Sequence, residues 1–355
     1  MHPGSTSYLA QLEDTQDSVV TTLKKHDMKT IKLNFSDFWP GFDKFDNSFT
    51  HLLSKYYKIE ISEEPDYLIY SVYSNDHKKE KWKGVVKILY TGENTLPDLL
   101  ECDYALSFSY IKSQRSYRLP LYYFYCAADK FTKLEQNIYP KFYCIPHIIT
   151  QRQRNATTKT LKEKTGFCSF VVSNPNCKER NNFFYKLSEY KKVSSGGRFL
   201  NNTGGPVIDK IAFLSSHKFN IAFENSSSPG YTTEKLLEAY LAGTVPIYWG
   251  NKLIEKDFNK NAFICVHDFK NINAVIDRVI ELDNDDEQMI QMLNQPLFTN
   301  NQINEYVKEE NIIDFFNFIF FNGKNKDFVF DLDYWRTYLL RKTRNFLIRP
   351  CVPEV

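Results

Sequence analysis

Residues 219–250 read FNIAFENSSSPGYTTEKLLEAYLAGTVPIYWG, an alternation of strand, loop, helix and strand patterns. The apolar run at the start predicts a strand that ends at Glu224-Asn225, and Val245–Trp249 predicts a second strand. Between them, a Ser/Pro/Gly loop leads to a helix whose first turn carries Lys235. A helix N-terminus presents unpaired N–H groups and about half a positive charge, so it suits a phosphate. The segment therefore predicts a site for a nucleotide or a nucleotide-sugar.

Length and composition indicate an ordinary globular protein of about two domains. The 355 residues include 45 basic and 43 acidic side chains, a net charge of +2, which gives no reason to expect a nucleic-acid partner. The seven cysteines have no CxxC or metal-ligand spacing, and an odd number without a framework predicts reduced thiols in a cytoplasm. The sequence contains no run of about 18 apolar residues, so we predict no membrane span. Its first residues also lack the apolar stretch of a signal peptide.

Short apolar runs predict two series of strands along the chain. The first series is Thr30–Phe35, Lys58–Ile61, Tyr67–Val72, Val85–Tyr90 and Tyr104–Phe108. The second series is Cys168–Val172, Phe219–Phe223, Val245–Tyr248 and Ala262–Val266. Helical patterns accompany the second series at Arg180–Tyr190, Asp209–Ser216, Thr233–Ala242 and Asn271–Leu282. This alternation predicts an α/β protein with two Rossmann-like domains, in which ligands bind at the carboxyl ends of parallel strands.

Several motifs of the chain resemble the signature of the bacterial α-1,3/4-fucosyltransferases of Lewis-antigen type, glycosyltransferase family 10. Within residues 219–250 these are a strand ending in FEN, then YTTEK opening a helix, then a Pro-containing strand ending in Gly. Three further motifs lie along the chain in the family's order. They are YTGEN (Tyr90–Asn94) and FVVSNPN (Phe170–Asn176) before this segment, and HDF (His267–Phe269) after it. The resemblance covers roughly residues 85–320.

The resemblance implies a GT-B fold, in which two Rossmann-like domains face each other across a cleft. We accordingly predict an acceptor-binding domain with the catalytic base at residues 28–155 and a GDP-fucose-binding domain at residues 156–330. The polar composition of residues 1–27 predicts a leader that is either appended or natively disordered. The pattern of residues 331–355 predicts a basic amphipathic helical tail, either on an anionic membrane surface or against the protein body.

The implied activity is that of an inverting α-1,3-fucosyltransferase. It would transfer L-fucose from GDP-β-L-fucose to the GlcNAc of N-acetyllactosamine or the glucose of lactose, with a Lewis X-type product. Two alternatives stay open: a GT-B enzyme with another nucleotide-sugar donor, and a non-catalytic glycan- or nucleotide-binding protein. The motifs do not decide between the 3-OH and the 4-OH, the natural acceptor or the oligomeric state. The lack of an anchor pattern points to the bacterial branch, hence to the bacterial cytoplasm, with peripheral contact to the inner membrane through the tail.

Glu93 is the candidate catalytic base. A single displacement that inverts the anomeric centre needs one base to take the acceptor's proton. Glu93 follows the predicted strand Val85–Tyr90 in the turn TGEN, at the strand's carboxyl end. The resemblance places the family's proposed base in this motif, whereas the turn by itself would suggest an ordinary surface carboxylate.

The resemblance places the donor site at two helix starts. Arg180 and Lys235 are the candidates that neutralise the diphosphate, since arginine offers bidentate donors and lysine a point charge. Glu234 would accept hydrogen bonds from hydroxyls of either the ribose or the fucose. Asn225 and Tyr231 match donor-site positions, Asn225 with an amide and Tyr231 with a ring or hydroxyl contact.

Three other features are ambiguous in the sequence. Trp39 lies in an aromatic run after the first strand and is either an acceptor-binding ring or part of the core. Glu224 is either a donor contact or a structural strand-end residue. Asp283-Asn284-Asp285 matches a DxD metal motif of other glycosyltransferases, but it follows a helical pattern, which favours a solvated acidic loop. The histidines also lack metal-ligand spacing, so we predict no metal site and no required cofactor, with stimulation by Mn²⁺ or Mg²⁺ left open.

Overall fold

The computed structural model describes residues 28–125 and 154–323. The chain divides between Ile88 and Leu89 into two compact units. The domain boundary predicted near residue 155 is a different division and stays a prediction. The predicted leader and C-terminal tail lie outside the described residues.

The first unit is built on parallel strands. Its elements are β1 (Thr30–Ser36), α1 (Ser48–Ser54), β2 (Lys58–Ile61) and β3 (Tyr67–Tyr70). β1 pairs in parallel with β2 on one side and with β3 on the other. The β1 residues Ile31, Leu33 and Phe35 are buried on one face of the strand, and Asn34 on the other face is buried as well. Asn47 caps α1, because its side chain accepts hydrogen bonds from the first backbone N–H groups of the helix.

The strand β4 (Val86–Thr91) contains the boundary between the units, and β5 (Tyr104–Ser107), β6 (Ser116–Arg118) and α2 (Tyr122–Tyr125) follow it. β5 and β6 pair in parallel. Leu89, Tyr90 and Thr91 are buried, as are all four residues of β5. Buried strands of this kind are typical of parallel sheets.

A five-stranded parallel sheet forms the centre of the second unit. Its strands are β7 (Gly166–Phe170), β8 (Val193–Ser195), β9 (His217–Phe223), β10 (Val245–Trp249) and β11 (Ile264–Cys265), in the order β11-β10-β9-β7-β8. The helices of this region are α3 (Thr158–Lys162), α4 (Lys178–Tyr190), α5 (Lys210–Ser215), α6 (Glu234–Leu241), α7 (Ile272–Asp283), α8 (Asp286–Leu293) and α9 (Glu309–Asn322). Strand residues such as Phe170 and Phe219 pack with helix residues such as Phe183 and Val279 in one core. The predicted α/β class with parallel sheets is therefore confirmed.

The structure corrects the interpretation of the DxD-like motif. Asp283 is buried and accepts hydrogen bonds from Lys218 at 2.9 Å and from Lys191, while Asp285 caps α8 by accepting from the backbone N–H of Gln288. The prediction of a solvated acidic loop is wrong for Asp283, because two lysines on neighbouring segments provide ion-pair partners that the local sequence does not reveal.

Two further observations concern the described parts of the chain. Cys102, Cys168, Cys177 and Cys265 are buried free thiols. No helix within residues 28–125 or 154–323 combines the length and the apolar character that a membrane crossing requires. The predicted cellular location stays a prediction.

Candidate functional site

The polar residues of the candidate site gather at the carboxyl edge of the five-stranded sheet. β9 pairs in parallel with both β10 and β7, so the three strands end on the same side. β9 ends at Phe223 and delivers Glu224 and Asn225, while β10 ends at Trp249 and delivers Gly250. Ligands of parallel α/β sheets bind at this edge.

Glu224 joins the end of β9 to the start of α6. Its buried carboxylate accepts from the backbone N–H of Thr233 at 2.8 Å, from Thr233 Oγ1 at 2.6 Å and from Lys235 Nζ at 3.1 Å. Gly250 leaves room for this side chain: it has φ +154°, and a Cβ there would lie 2.5 Å from Glu224 Cγ. Of the two readings of Glu224, the structure supports the structural one, since its carboxylate takes the place of a side-chain cap on α6.

Lys235 lies between two carboxylates. Its ammonium donates to Glu224 at 3.1 Å, to Glu234 Oε1 at 3.2 Å and to Thr233 Oγ1 at 2.8 Å. Burial works to raise the pKa of Glu234, but Lys235 and Lys210 outweigh it and lower that pKa to about 2. Burial works to lower the pKa of Lys235, and its carboxylate neighbours raise it well above its usual value. With all three groups charged, the cluster of Glu224, Glu234 and Lys235 carries a net charge of −1.

Arg180 is a buried cation with neutral partners. It lies in the first turn of α4, where Nη1 donates to Asn225 Oδ1 at 2.8 Å and Nη2 donates to the carbonyl oxygen of Asn174 at 2.6 Å. Its Nε has no hydrogen-bond partner, and no carboxylate lies within ion-pair distance, in the described residues. Burial lowers the pKa of Arg180. Because a desolvated charge is costly without a counter-ion, this guanidinium and the N-terminus of α4 form a site suited to an anion.

Glu93 belongs to the same compact unit as the donor candidates. It is exposed in the turn after β4, where its backbone N–H donates to Thr91 Oγ1 at 3.1 Å. The neighbouring Asn94 donates to Ser226 Oγ at 2.6 Å, which connects the TGEN turn to the loop after β9. The charge of Glu93 also contributes to the raised pKa of Tyr231, although burial is the largest cause and Glu224 the next. The structure thus brings Glu93 and Tyr231 within electrostatic range of each other.

Tyr231 packs inside the unit. It is 3% exposed, and its ring meets the ring of Phe108 edge-on, with centroids 5.2 Å apart. The preceding Gly230 has φ +86°, and a Cβ there would lie 2.4 Å from the carbonyl oxygen of Phe108. The loop can therefore approach Phe108 only with glycine at this position. The predicted contact between Tyr231 and a donor stays a prediction.

A buried ion pair that the sequence analysis missed holds this loop. Arg118 Nη1 lies 2.8 Å from Asp257 Oδ1, and Nη2 donates to Asp257 Oδ2 at 2.9 Å and to the carbonyl oxygen of Gly230 at 3.3 Å. Asp257 also accepts from Thr232 Oγ1 at 2.9 Å. Burial works to lower the pKa of Arg118, and Asp257 raises it above its usual value. We call Arg118, Asp257 and Thr232 the loop anchor; its only sequence signal is a pair of opposite charges far apart in the chain.

Two aromatic rings and one side-chain amide surround the loop anchor. The guanidinium of Arg118 lies 4.4 Å from the ring centroid of Tyr110 and 4.3 Å from that of Tyr306. Asn251 Nδ2 donates to Asp257 Oδ2 at 3.1 Å, and Asn251 Oδ1 accepts from the backbone N–H of Gly230 at 2.7 Å. The loop before α6 is thus fixed by both side-chain and backbone bonds.

Trp39 lies in the first unit, after β1. It is 47% exposed, and its ring meets that of Phe42 edge-on at 5.2 Å and that of Tyr73 at 6.3 Å. Trp39 is therefore a half-exposed member of an aromatic cluster rather than a fully buried core residue. Its predicted contact with an acceptor stays a prediction.

Two models of known protein families match this chain. The family described as "Alpha-(1,3)-fucosyltransferase FucT N-terminal domain" matches residues 33–125, and "Glycosyltransferase family 10 (fucosyltransferase) C-term" matches residues 161–309. The chain is 34% identical over 269 residues to an α-(1,3)-fucosyltransferase FucT of Helicobacter pylori, covering 70% of this chain and 56% of the relative. A putative fucosyltransferase R654 of Acanthamoeba polyphaga mimivirus is 28% identical over 267 residues, which cover 67% of this chain and 44% of the relative. The chain thus spans about half the length of these curated relatives.

Solved structures of an α1,3-fucosyltransferase resemble this fold. A crystal structure with GDP-fucose has a TM-score of 0.68 at 28% identity and covers 85% of this chain and 93% of that one. A second crystal structure, of an α1,3-fucosyltransferase, has a TM-score of 0.69 at 29% identity and covers 84% of this chain and 92% of that one. These likenesses confirm the predicted two-sheet architecture of GT-B type.

Proposed function

The chain belongs to the fucosyltransferases of glycosyltransferase family 10, and from this premise we propose that it transfers an L-fucosyl group from GDP-β-L-fucose to a sugar hydroxyl. The observation that carries the proposal is the arrangement of Arg180 in the second unit. A buried guanidinium with neutral partners, at a helix start on the carboxyl edge of a parallel sheet, is suited to the diphosphate of a nucleotide-sugar. Glu93 lies in the same unit and supplies a carboxylate.

The proposed reaction is one inverting displacement. Glu93 takes the proton of the acceptor hydroxyl while the acceptor oxygen forms a bond to C1 of fucose. The bond between C1 and the diphosphate oxygen breaks, and GDP leaves with the electron pair. Arg180 and the N–H groups at the start of α4 stabilise the negative charge that develops on the leaving group. Asn225 is held by Arg180 at 2.8 Å, so the orientation of its amide toward the donor is set by the same contact.

The helix start of α6 supplies the remaining donor contacts. With its pKa lowered to about 2, the Glu234 carboxylate is ionised at neutral pH and acts only as a hydrogen-bond acceptor, which suits hydroxyls of ribose or fucose. Lys235 is proposed to contact the diphosphate from its place beside Glu224 and Glu234. Tyr231 is proposed to contact the donor through its ring or hydroxyl.

The acceptor is proposed to be the GlcNAc of an N-acetyllactosamine chain or the glucose of lactose, with transfer to the 3-OH and a Lewis X-type product. Trp39 is the proposed acceptor contact, because a half-exposed aromatic ring offers an apolar face to a pyranose. An acceptor panel with GDP-fucose, followed by linkage analysis, tests this part. No metal is proposed to be required, and full activity after dialysis against EDTA would support this.

Replacing Glu93 with Gln tests the base. We expect kcat to fall about 10²–10⁴-fold, the usual contribution of a general base, with the affinity for GDP unchanged. Glu189→Gln is the matched control, because Glu189 is an exposed carboxylate on α4 in the same unit. Activity of Glu93→Gln equal to that of the control would remove Glu93 from this role.

A titration with nucleotides tests the donor. A ligand at 100 times its Kd stabilises a protein by about 2.7 kcal/mol, so GDP should raise the Tm while UDP and CMP should not. Stabilisation by UDP alone would contradict the assignment of GDP-fucose.

A further inference from the structure

Lys210 lies close to the donor residues without touching them. It begins α5, which packs beside α6 through Leu214, Ala239 and Ala242. Lys210 Nζ donates to Glu238 Oε2, and Glu238 is only 3% exposed. Glu238 follows Glu234 by four residues on α6, so the two carboxylates share one face of the helix. A single ammonium from α5 therefore faces the side of α6 that carries a proposed donor contact.

The place of this lysine is unfavourable for its own helix. The start of a helix carries a partial positive charge, which repels a cation by about 0.3–1 kcal/mol. α5 already has a cap, since Asp209 Oδ1 accepts from the backbone N–H of Ala212 at 2.9 Å. Lys210 thus contributes nothing as a cap, and its ion pair with α6 is what favours a cation here.

Two neighbouring sets of ion pairs lie on α6. Glu224 and Glu234 both pair with Lys235, and Glu238, one turn further along the helix, pairs with Lys210. The five groups together carry a net charge of −1. Without Lys210, Glu238 would lose this ion pair, and the repulsion between Glu234 and Glu238 at a spacing of four residues would increase. Glu234 would then be drawn away from the position in which it faces the donor.

We propose that Lys210 is a positioning residue for the donor site, which holds Glu234 in its Lys235-paired geometry by neutralising the carboxylate face of α6. The inference rests on the proposed function, because the ligand in question is GDP-fucose. It adds a residue of α5 to a site whose other members lie at the carboxyl ends of strands and the starts of α4 and α6. Lys210 itself would contact neither the donor nor the reacting atoms.

Lys210→Gln and Lys210→Arg test the inference, with Lys218→Gln as the matched control. Lys218 also forms a partly buried ion pair, with Asp283 at 2.9 Å, at the other end of β9. For Lys210→Gln we expect the Kd of GDP-fucose, titrated calorimetrically without acceptor, to rise about five- to tenfold, equal to about 1–1.4 kcal/mol. The KM for GDP-fucose should rise by the same factor, with kcat and the acceptor KM within twofold of wild type.

Lys210→Arg should restore the donor affinity to within twofold, since it returns the positive charge. Lys218→Gln should lower the Tm as Lys210→Gln does but leave the donor Kd unchanged. The inference is overturned if Lys210→Gln binds GDP-fucose as wild type does, or if Lys210→Arg is as weak as Lys210→Gln. A wild-type protein that binds GDP-fucose but transfers no fucose would contradict the proposed function alone, since the binding comparison would still decide the role of Lys210.

Discussion

Replacing Arg118 with Met would remove the guanidinium that Asp257 binds while keeping most of the aliphatic volume. The two side chains are 8% and 0% exposed, so water cannot take the place of the guanidinium. Asp257 would keep only neutral donors in the described residues, namely the hydroxyls of Tyr306 and Thr232 and the amide of Asn251. The loop anchor would then contain a buried anion without a counter-ion.

The expected loss of stability follows from this burial. Removing one partner of a buried ion pair typically costs about 3–5 kcal/mol, because the other charge stays desolvated. For a unit of this size, about 2–4 °C of Tm corresponds to each kcal/mol, so Arg118→Met should lower the Tm by about 10 °C. Asp257→Asn should cost a similar amount, because it leaves the buried guanidinium of Arg118 without a counter-ion.

Urea denaturation of four proteins measures the pair itself. Wild type, Arg118→Met, Asp257→Asn and the double variant form a double-mutant cycle. The losses of unfolding free energy in the two single variants, added together, should exceed the loss in the double variant by about 2 kcal/mol. Arg278→Met is the control, because its ion pair with Glu281 at 3.1 Å is open to solvent, with side chains 30% and 65% exposed, and should contribute less than about 1 kcal/mol. The reasoning is refuted if Arg118→Met destabilises no more than Arg278→Met, or if the losses of the two single variants simply add.

Two further predictions concern the same region. Lys235 lowers the pKa of Glu234 from its ordinary 4.5 to about 2. Ionised Glu234 therefore stabilises the fold above pH 4.5, and this stability is lost as the pH falls toward 2. In acid titrations, the difference in unfolding free energy between wild type and Glu234→Gln should shrink over this pH range. Gly230→Ala should cost about 2 kcal/mol or more, whereas Gly204→Ala, at φ +85° with nothing within 4 Å of its Cβ, should show only the backbone strain of about 1 kcal/mol. Equal losses for the two glycine variants, measured by urea denaturation, would mean that the close approach to Phe108 is unimportant.

The longer strands and the central helices of the fold could be predicted from the sequence. β9 and α6 carry continuous apolar or amphipathic patterns, and their predicted bounds agree with the structure within two residues. β6 and β8 could not, because Ser116–Arg118 and Val193–Ser195 are only three residues long and contain few apolar side chains. Such strands exist because a parallel neighbour pairs with them, and a local pattern does not contain that information.

The sequence indicated candidate site residues, whose roles stay predictions, but it did not indicate their contacts. Motif order and strand ends indicated Glu93, Arg180 and Lys235, and all three lie in one compact unit. The loop anchor was not predictable, because Arg118 and Asp257 are separated by 139 residues and neither lies in a recognisable motif. Long-range ion pairs depend on how elements pack, which opposite charges in a sequence do not specify.

The distribution of charge at the two helix starts bears on which residue neutralises the leaving GDP. At about 4 Å two unit charges near a protein surface interact by about 4 kcal/mol, so Glu224 and Glu234, both near the ammonium of Lys235, offset most of its attraction for a diphosphate. Arg180 has a smaller offset: Glu224 also acts on it, but from beyond ion-pair distance in the described residues, and its direct partners are the neutral oxygens of Asn225 and Asn174. The sequence alone treats the two cations as equivalent. We therefore infer that Arg180 and the start of α4 provide the larger share of the neutralisation, while Lys235 chiefly fixes the two carboxylates that shape the start of α6.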